Sequence, residues 1–231
     1  MINTRKLVND FLHLLYPHTC AGCGSDLLEN DQEICMHCFA NLPETNFSLY
    51  ADNPIEKIFY GRLQIAHATA GYYFNKKSAL QRLIHQLKYK GNKEVGWQLG
   101  KWLGLQLHKS NRFTNVQALV PLPLFPDKEK RRGYNQSTII CEGIADVLQL
   151  PVLTDVVSRK RYTDTQTKKG RSDRWTNVDN SFAISNTELL TNKHVLLVDD
   201  VITTGATLEA CGTALKTVQG LTLSIAALTC D

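Results

Sequence analysis

The segment from Val195 to Thr207, Val-Leu-Leu-Val-Asp-Asp-Val-Ile-Thr-Thr-Gly-Ala-Thr, restricts the fold more than any other stretch of this 231-residue chain. Val195 to Val198 is the β-branched, leucine-rich run of a strand buried on both faces. Such strands belong to parallel sheets covered by helices. Two carboxylates, Asp199 and Asp200, end the run. A small-residue loop follows, made of Thr203, Thr204, Gly205, Ala206 and Thr207, and then a helical composition over 208–216. A loop between a strand end and a helix start offers unpaired N–H groups and the positive end of a helix dipole. Those features bind phosphate. Two acids just ahead of them suit ribose hydroxyls or the water shell of Mg2+. A plain helix cap needs one acid or hydroxyl, not two acids and three threonines.

The pattern resembles the phosphoribosyl pyrophosphate (PRPP) signature of type I phosphoribosyltransferases. That resemblance implies that Asp199 and Asp200 face the ribose 2′- and 3′-hydroxyls. It also implies that Thr203 to Thr207 wrap the 5′-phosphate. Enzymes of this kind that act on 6-oxopurines carry an acid three residues after the second carboxylate. Here that position is Thr203, as in orotate-type enzymes.

A second signal lies near the other end. Cys20-Ala-Gly-Cys23 and Cys35-Met-His-Cys38 are two Cys-x-x-Cys pairs with eleven residues between them. Each pair holds two thiolates on one turn, and two turns close a tetrahedron around Zn2+. With four protein ligands no position is open to a substrate, so the expected zinc is structural. His18 and His37 flank the pairs as spare ligands. Cys141, Cys211 and Cys230 sit in apolar surroundings and read as buried small hydrophobes.

The length accommodates one α/β domain and a small appendage. The net charge of +4 says little by itself about nucleic acid. No apolar run reaches the length of a membrane span. The stretch from Arg5 to Leu15 has the start of a signal sequence, but Asn9, Asp10 and His13 interrupt it. It reads as a short amphipathic helix ending before Pro17. Paired thiols suited to metal then point to a reducing cytoplasm.

Along the chain, residues 1–55 are expected to form the N-terminal helix and the four-cysteine module, and 56–231 the α/β domain. Residues 65–74 alternate and suggest a strand or hairpin arm. Leu80, Leu83, Ile84 and Leu87 mark one helix. Val95, Leu99, Trp102 and Leu103 mark a second, which carries Gly96, Gly100 and Gly104 as a flat packing face. Strands are expected at 116–120, 152–157 and 195–199, with an alternating segment at 221–228. A helix is expected around 139–148, after a basic loop at 128–136. Alternating strands and helices imply a mostly parallel sheet with helices on both faces. Ligands in such sheets sit beyond the carboxyl ends of the strands. Pro121-Leu-Pro123 and the acidic pair both follow strand ends and can therefore share one cleft.

Residues 158–181 are almost free of apolar side chains and hold seven Lys or Arg against three Asp. A long loop inside a compact domain is usually functional or disordered. A basic loop closing over pyrophosphate would neutralise its charge and exclude water. Arg161, Thr163 and Gln166, followed by Arg174 and Asn177, resemble a run of the ComF family. Arg132-Gly-Tyr-Asn-Gln136 is similar to another run of that family, and so are Leu87-Lys-Tyr89, the four cysteines and the PRPP signature, in order.

This resemblance implies a zinc-ribbon-like head on a type I phosphoribosyltransferase-like sheet. It implies PRPP or another 5′-phosphorylated ribose bound with Mg2+, and Arg131, Arg132, Arg161, Gln166 and Arg174 near the pyrophosphate. It also implies a role in natural competence, the handling of incoming single-stranded DNA. Two other readings stand beside it. One is an active phosphoribosyltransferase, transferring a pentosyl group from PRPP to an acceptor the sequence does not name. The other is a zinc-headed adaptor for a helicase or recombination-mediator protein. Tyr134, Tyr162 and Trp175, interleaved with the basic residues, would serve a strand by stacking.

Overall fold

The computed structural model describes residues 18–26, 28, 32–159 and 181–231. The expected N-terminal helix and most of the basic loop, including Arg161, Tyr162, Thr163, Gln166, Arg174, Trp175 and Asn177, lie outside the described residues.

The core is a four-stranded sheet in the order β1 (Ala68–Tyr73), β6 (Thr222–Cys230), β5 (His194–Ile202), β2 (Ala118–Pro121). Every neighbouring pair in it is parallel. Val195 to Val198 are fully buried, as a central strand between two helical layers requires. Alternate residues divide between two cores. Leu196, Val198, Ala226 and Leu228 pack with α3 (Ala79–Tyr89), α4 (Lys93–Lys109) and α6 (Gln136–Leu148). Val195, Leu197, Ile225 and Ala227 pack with α2 (Pro54–Ile58), α7 (Ala206–Leu215) and a small antiparallel ribbon. The ribbon pairs β3 (Val157–Arg159) with β4 (Phe182–Ile184). The mostly parallel α/β sheet is thus as expected. Among the described residues no helix is long and apolar enough to cross a membrane.

The helix at α3 follows its sequence pattern closely. Ser78 caps it by accepting from the Gln81 N–H at 3.1 Å, and Leu80, Leu83, Ile84 and Leu87 form its buried face. The glycine face of α4 also forms as read. Gly100 lies against the backbone of Ile140, and Gly143 of α6 lies against the backbone of Trp97 and Lys101. The two helices meet main chain to main chain.

Four local expectations differ. Of the two expectations for 65–74, the strand holds and the hairpin arm does not: from Ala68 it is β1, a strand of the central sheet parallel to β6. Its Ala and Gly residues let helices approach closely, so it is buried where alternation suggested a wet face. The segment expected as a basic loop at 128–136 is helical from Pro126 to Arg132, here called α5, because Pro126 opens it and Gly133 at φ 84° closes it. The 152–157 strand is broken: Val152 bridges Leu119, while Val157 belongs to the ribbon. Finally β5 continues past the acidic pair to Ile202, because Val201 and Ile202 still pair with Thr229 and Cys230 of β6.

Candidate functional site

The extension of β5 fixes the acidic pair inside the sheet. Asp199 accepts from the Ser137 hydroxyl at 3.2 Å and from the Asp200 N–H at 2.8 Å. Burial, then the neighbouring Asp200 carboxylate, push its pKa up to about 7. Asp200 is held differently: Lys88 of α3 places Nζ 2.9 Å from Oδ2. The Thr229 hydroxyl donates to the Asp200 carbonyl at 3.1 Å.

The Asp199 shift predicts a pH dependence. An acid that keeps its proton longer when folded stabilises the protein fully below its unfolded pKa, 3.8, and loses that contribution as pH rises toward 7. Ligand-free protein is expected to lose stability through this group as pH rises from about 4 to about 7. Asp199→Asn should flatten that slope in urea unfolding curves. An unchanged slope in the variant would refute the assignment.

The following turn is shaped by Gly205. It adopts φ 72° at the N-cap of α7, a conformation that costs glycine little. A Cβ there would come within 2.7 Å of Ile58 Cγ2 and 3.2 Å of the Phe59 ring. Arg62 clamps the turn from outside, donating to the Thr204 and Ile58 carbonyls at 3.1 Å each and pairing with Glu209. The helix starts at Ala206, so Ala206 and Thr207 form its first turn, two residues before the expected start. Gly205 offers no side-chain cap, and Thr203 and Thr204 are exposed just ahead of this helix end.

The 132–137 run ties the other pieces to this point. The Tyr134 hydroxyl donates to the Leu87 carbonyl. Asn135 caps α6 through the Ser137 N–H at 3.0 Å and donates to the Leu122 carbonyl at 2.9 Å. The Leu122 N–H in turn donates to the Val198 carbonyl at 2.8 Å. Pro121 to Pro123 and the acidic pair therefore do share one end of the sheet. Arg131 and Arg132 lie in the last turn of α5. Arg132 stands 5.7 Å from the centre of the Tyr89 ring, and no contact joins either arginine to the acids. Arg161, Gln166 and Arg174 lie outside the described residues. Lys88, Ser137 and Arg62 were not identified as site residues from the sequence. Each contacts a partner more than sixty positions away, which no local pattern announces.

Cys20, Cys23, Cys35 and Cys38 bring their sulfurs within 4.8 Å of one another. A tetrahedral zinc–thiolate shell with bonds of about 2.3 Å has sulfur–sulfur edges of about 3.8 Å, and Cys23 and Cys35 are 3.7 Å apart. Backbone N–H groups of Gly22 and Cys35 donate to the Cys20 sulfur at 3.4 and 3.3 Å. Burial raises the Cys20 thiol, but these donors outweigh it and bring it down to about 7. The four cysteines could therefore hold one metal ion. His18 pairs instead with Glu33 at 3.0 Å, and His37 is exposed. Cys141, Cys211 and Cys230 are buried as expected. The module rests on α3 and the turn after it: Arg82 donates through Nε to the Gly22 carbonyl, and Asn92 donates to Glu33 at 2.8 Å.

Comparison with known proteins adds the following. The phosphoribosyl transferase domain family matches residues 135–230. Competence protein F of Haemophilus influenzae is 28% identical over 211 residues, 89% of this chain and 87% of that protein. The DNA utilization protein YhgH of Escherichia coli K12 is 31% identical over 192 residues, 81% of this chain and 79% of that protein. Competence protein ComFC of Bacillus subtilis is 24% identical over 206 residues, 86% of this chain and 78% of that protein.

Proposed function

This chain belongs to the family of competence protein F and YhgH, and from that premise we propose that it binds a 5′-phosphorylated ribose and acts in the handling of incoming single-stranded DNA. The observation that carries the first half is the junction of β5 with α7. A buried strand delivers Asp199 and Asp200, and five residues after Asp200 the N-cap Gly205 opens a helix without contributing a side chain, while the Ala206 N–H donates to the Thr204 hydroxyl at 3.5 Å. In this reading the turn from Thr203 to Thr207 takes the 5′-phosphate, with the helix dipole favouring its charge. The acids take the ribose diol or the hydrated Mg2+ that accompanies PRPP. Arg131, Arg132, Arg161, Gln166 and Arg174 serve the pyrophosphate. Zn2+ fills the four-cysteine module and has a structural role, with 1–55 as its unit and 56–231 as the phosphoribose-binding unit. The DNA half is supported by the relatives' names.

Titration calorimetry with PRPP and Mg2+ tests the site. Asp200→Asn combined with Thr204→Ala is expected to weaken binding by about 2–4 kcal/mol, through lost charge-assisted hydrogen bonds. A double variant that binds as well as its parent removes the phosphate assignment. Pentosyl transfer from bound PRPP is a second reading. It is favoured by a cavity that opens beside Asp200, lined by Lys88 and Val201.

A further inference from the structure

We propose that Arg62, in the segment between α2 and β1, is a positioning residue for the phosphate turn: by holding the Thr204 carbonyl from outside, it aims the Gly205 N–H at the phosphate. It rests on the phosphoribose reading for the ligand and adds the side chain that sets the shape of the turn.

The need for such a residue follows from the turn's own sequence. Backbone N–H groups can hold a phosphate only if each peptide plane faces the right way. The Thr204–Gly205 plane is the vulnerable one. Gly205 sits at φ 72°, and glycine occupies both halves of φ about equally. Nothing in the residue itself stops that plane from turning over. In a planar trans peptide the C=O and the following N–H point in opposite directions. A carbonyl fixed on the α2 side therefore leaves the Gly205 N–H on the other side. Arg62 Nη1 donates to the Thr204 carbonyl at 3.1 Å and to the Ile58 carbonyl at 3.1 Å, while Nη2 pairs with Glu209.

The clamp stands on a fixed base. Asn53, fully buried, caps α2 through the Ile55 and Glu56 N–H groups at 3.0 and 3.1 Å. Its amide donates to the Phe47 and Ala68 carbonyls at 3.1 and 2.9 Å. Buried Glu56 pairs with Arg112 and accepts from the Ala68 N–H at 3.2 Å. After α2 the chain turns back tightly: the Arg62 and Leu63 N–H groups both donate to the Phe59 carbonyl at 3.0 Å. Leu63 then packs against Gly212 of α7. A side chain rooted between α2 and α7 loses little freedom in holding the turn. Its chemistry also fits. A planar guanidinium reaches two carbonyls and a carboxylate at once, whereas an ammonium is a single point on a flexible stem. Glu209 lies in the first turn of α7, where it suits the helix dipole but opposes an incoming phosphate. Pairing with Arg62 offsets that charge.

Thr204-Gly205 is the single Thr-Gly pair in the sequence, so nitrogen-labelled glycine with carbonyl-labelled threonine reports one amide of the full chain. Ribose 5-phosphate with Mg2+ is titrated by calorimetry and by the resonance of this amide. In the parent, binding is expected to move the Gly205 amide proton downfield, as a new bond to phosphate does. Arg62→Ala should bind about tenfold more weakly, the worth of one well-placed hydrogen bond, with a smaller Gly205 shift at saturation. Its urea midpoint should stay near the parent's, because a partly exposed ion pair adds little stability. Arg62→Lys keeps the charge and carries the test if Arg62→Ala fails to fold; its binding should resemble that expected for Arg62→Ala. The proposal is overturned if Arg62→Ala binds as well as the parent, if Arg62→Lys restores parental binding, or if the parent binds without moving Gly205. A parent that binds no ribose 5-phosphate removes the phosphate reading and this proposal together, an outcome read before any variant is compared.

Discussion

Replacing Cys35 with Ser is expected to release the metal and unfold the four-cysteine module. Structural zinc contributes roughly 10–16 kcal/mol to the folding of small zinc domains, so this is the largest single effect anticipated. Cys35 is buried, caps the helix α1 (Met36–Ala40) and lies within the cluster that includes Cys20, Ile34 and Leu42. That cluster is continuous with Leu83, Leu87 and Leu99 of α3 and α4. The loss should therefore expose apolar surface that binds a hydrophobic dye, while the core on the opposite face of the sheet, around Val195, Leu197 and Ile225, stays in place. Cys23→Ser is the companion variant, because Cys23 is exposed and its replacement removes a ligand with little packing. Both should fall well below one zinc per chain by elemental analysis. Parent protein without zinc, and with four freely titratable thiols, would defeat the assignment.

The second large effect is Gly143→Ala. A Cβ at this position would meet the Trp97 carbonyl oxygen at 2.2 Å and the Lys101 nitrogen at 2.6 Å. Both are backbone atoms of α4, so no side chain can turn away. The helices must separate, and overpacking of that kind costs 1–3 kcal/mol or more; here about 4 kcal/mol is expected. Gly104→Ala is the comparison, since its nearest contacts are 3.1 Å. There the gain in helix propensity, about 0.5–1 kcal/mol, offsets much of the crowding. Urea midpoints for the two variants should differ clearly. Equal midpoints would mean that the two helices can slide apart at little cost.

Both the fold and the outline of the site were legible where sequence and physics act locally. The apolar run at 195–198 announces a doubly covered strand because its neighbours on both faces must be apolar. The glycines of α4 announce close packing because nothing else justifies their loss of helix propensity. The cysteine spacing announces the gathering of four sulfurs because ligand geometry is encoded in the turn. What escaped was set by partners distant in sequence. β1 could be read as a strand or as an arm, because its small residues hide which elements cover it. The true end of β5 depends on how far β6 runs alongside. Lys88 looked like any exposed lysine near a helix end, and only the fold brings it to Asp200.

The spacing within α3 has a consequence of its own. Arg82 grips the first cysteine turn and Lys88 grips the acidic pair. Lys88 stands six residue steps along the helix from Arg82, about 9 Å of axis at 1.5 Å per residue. The chain can lengthen a loop without disturbing either grip, but it cannot add a residue between these two. One insertion there would swing Lys88 by about 100° around the helix while Arg82 stayed in place. Divergence across this helix should therefore proceed by substitution, and length changes should collect outside 82–88. The segment works as a ruler: it fixes how far the thiolate turn stands from the carboxylates, whatever else in the chain drifts.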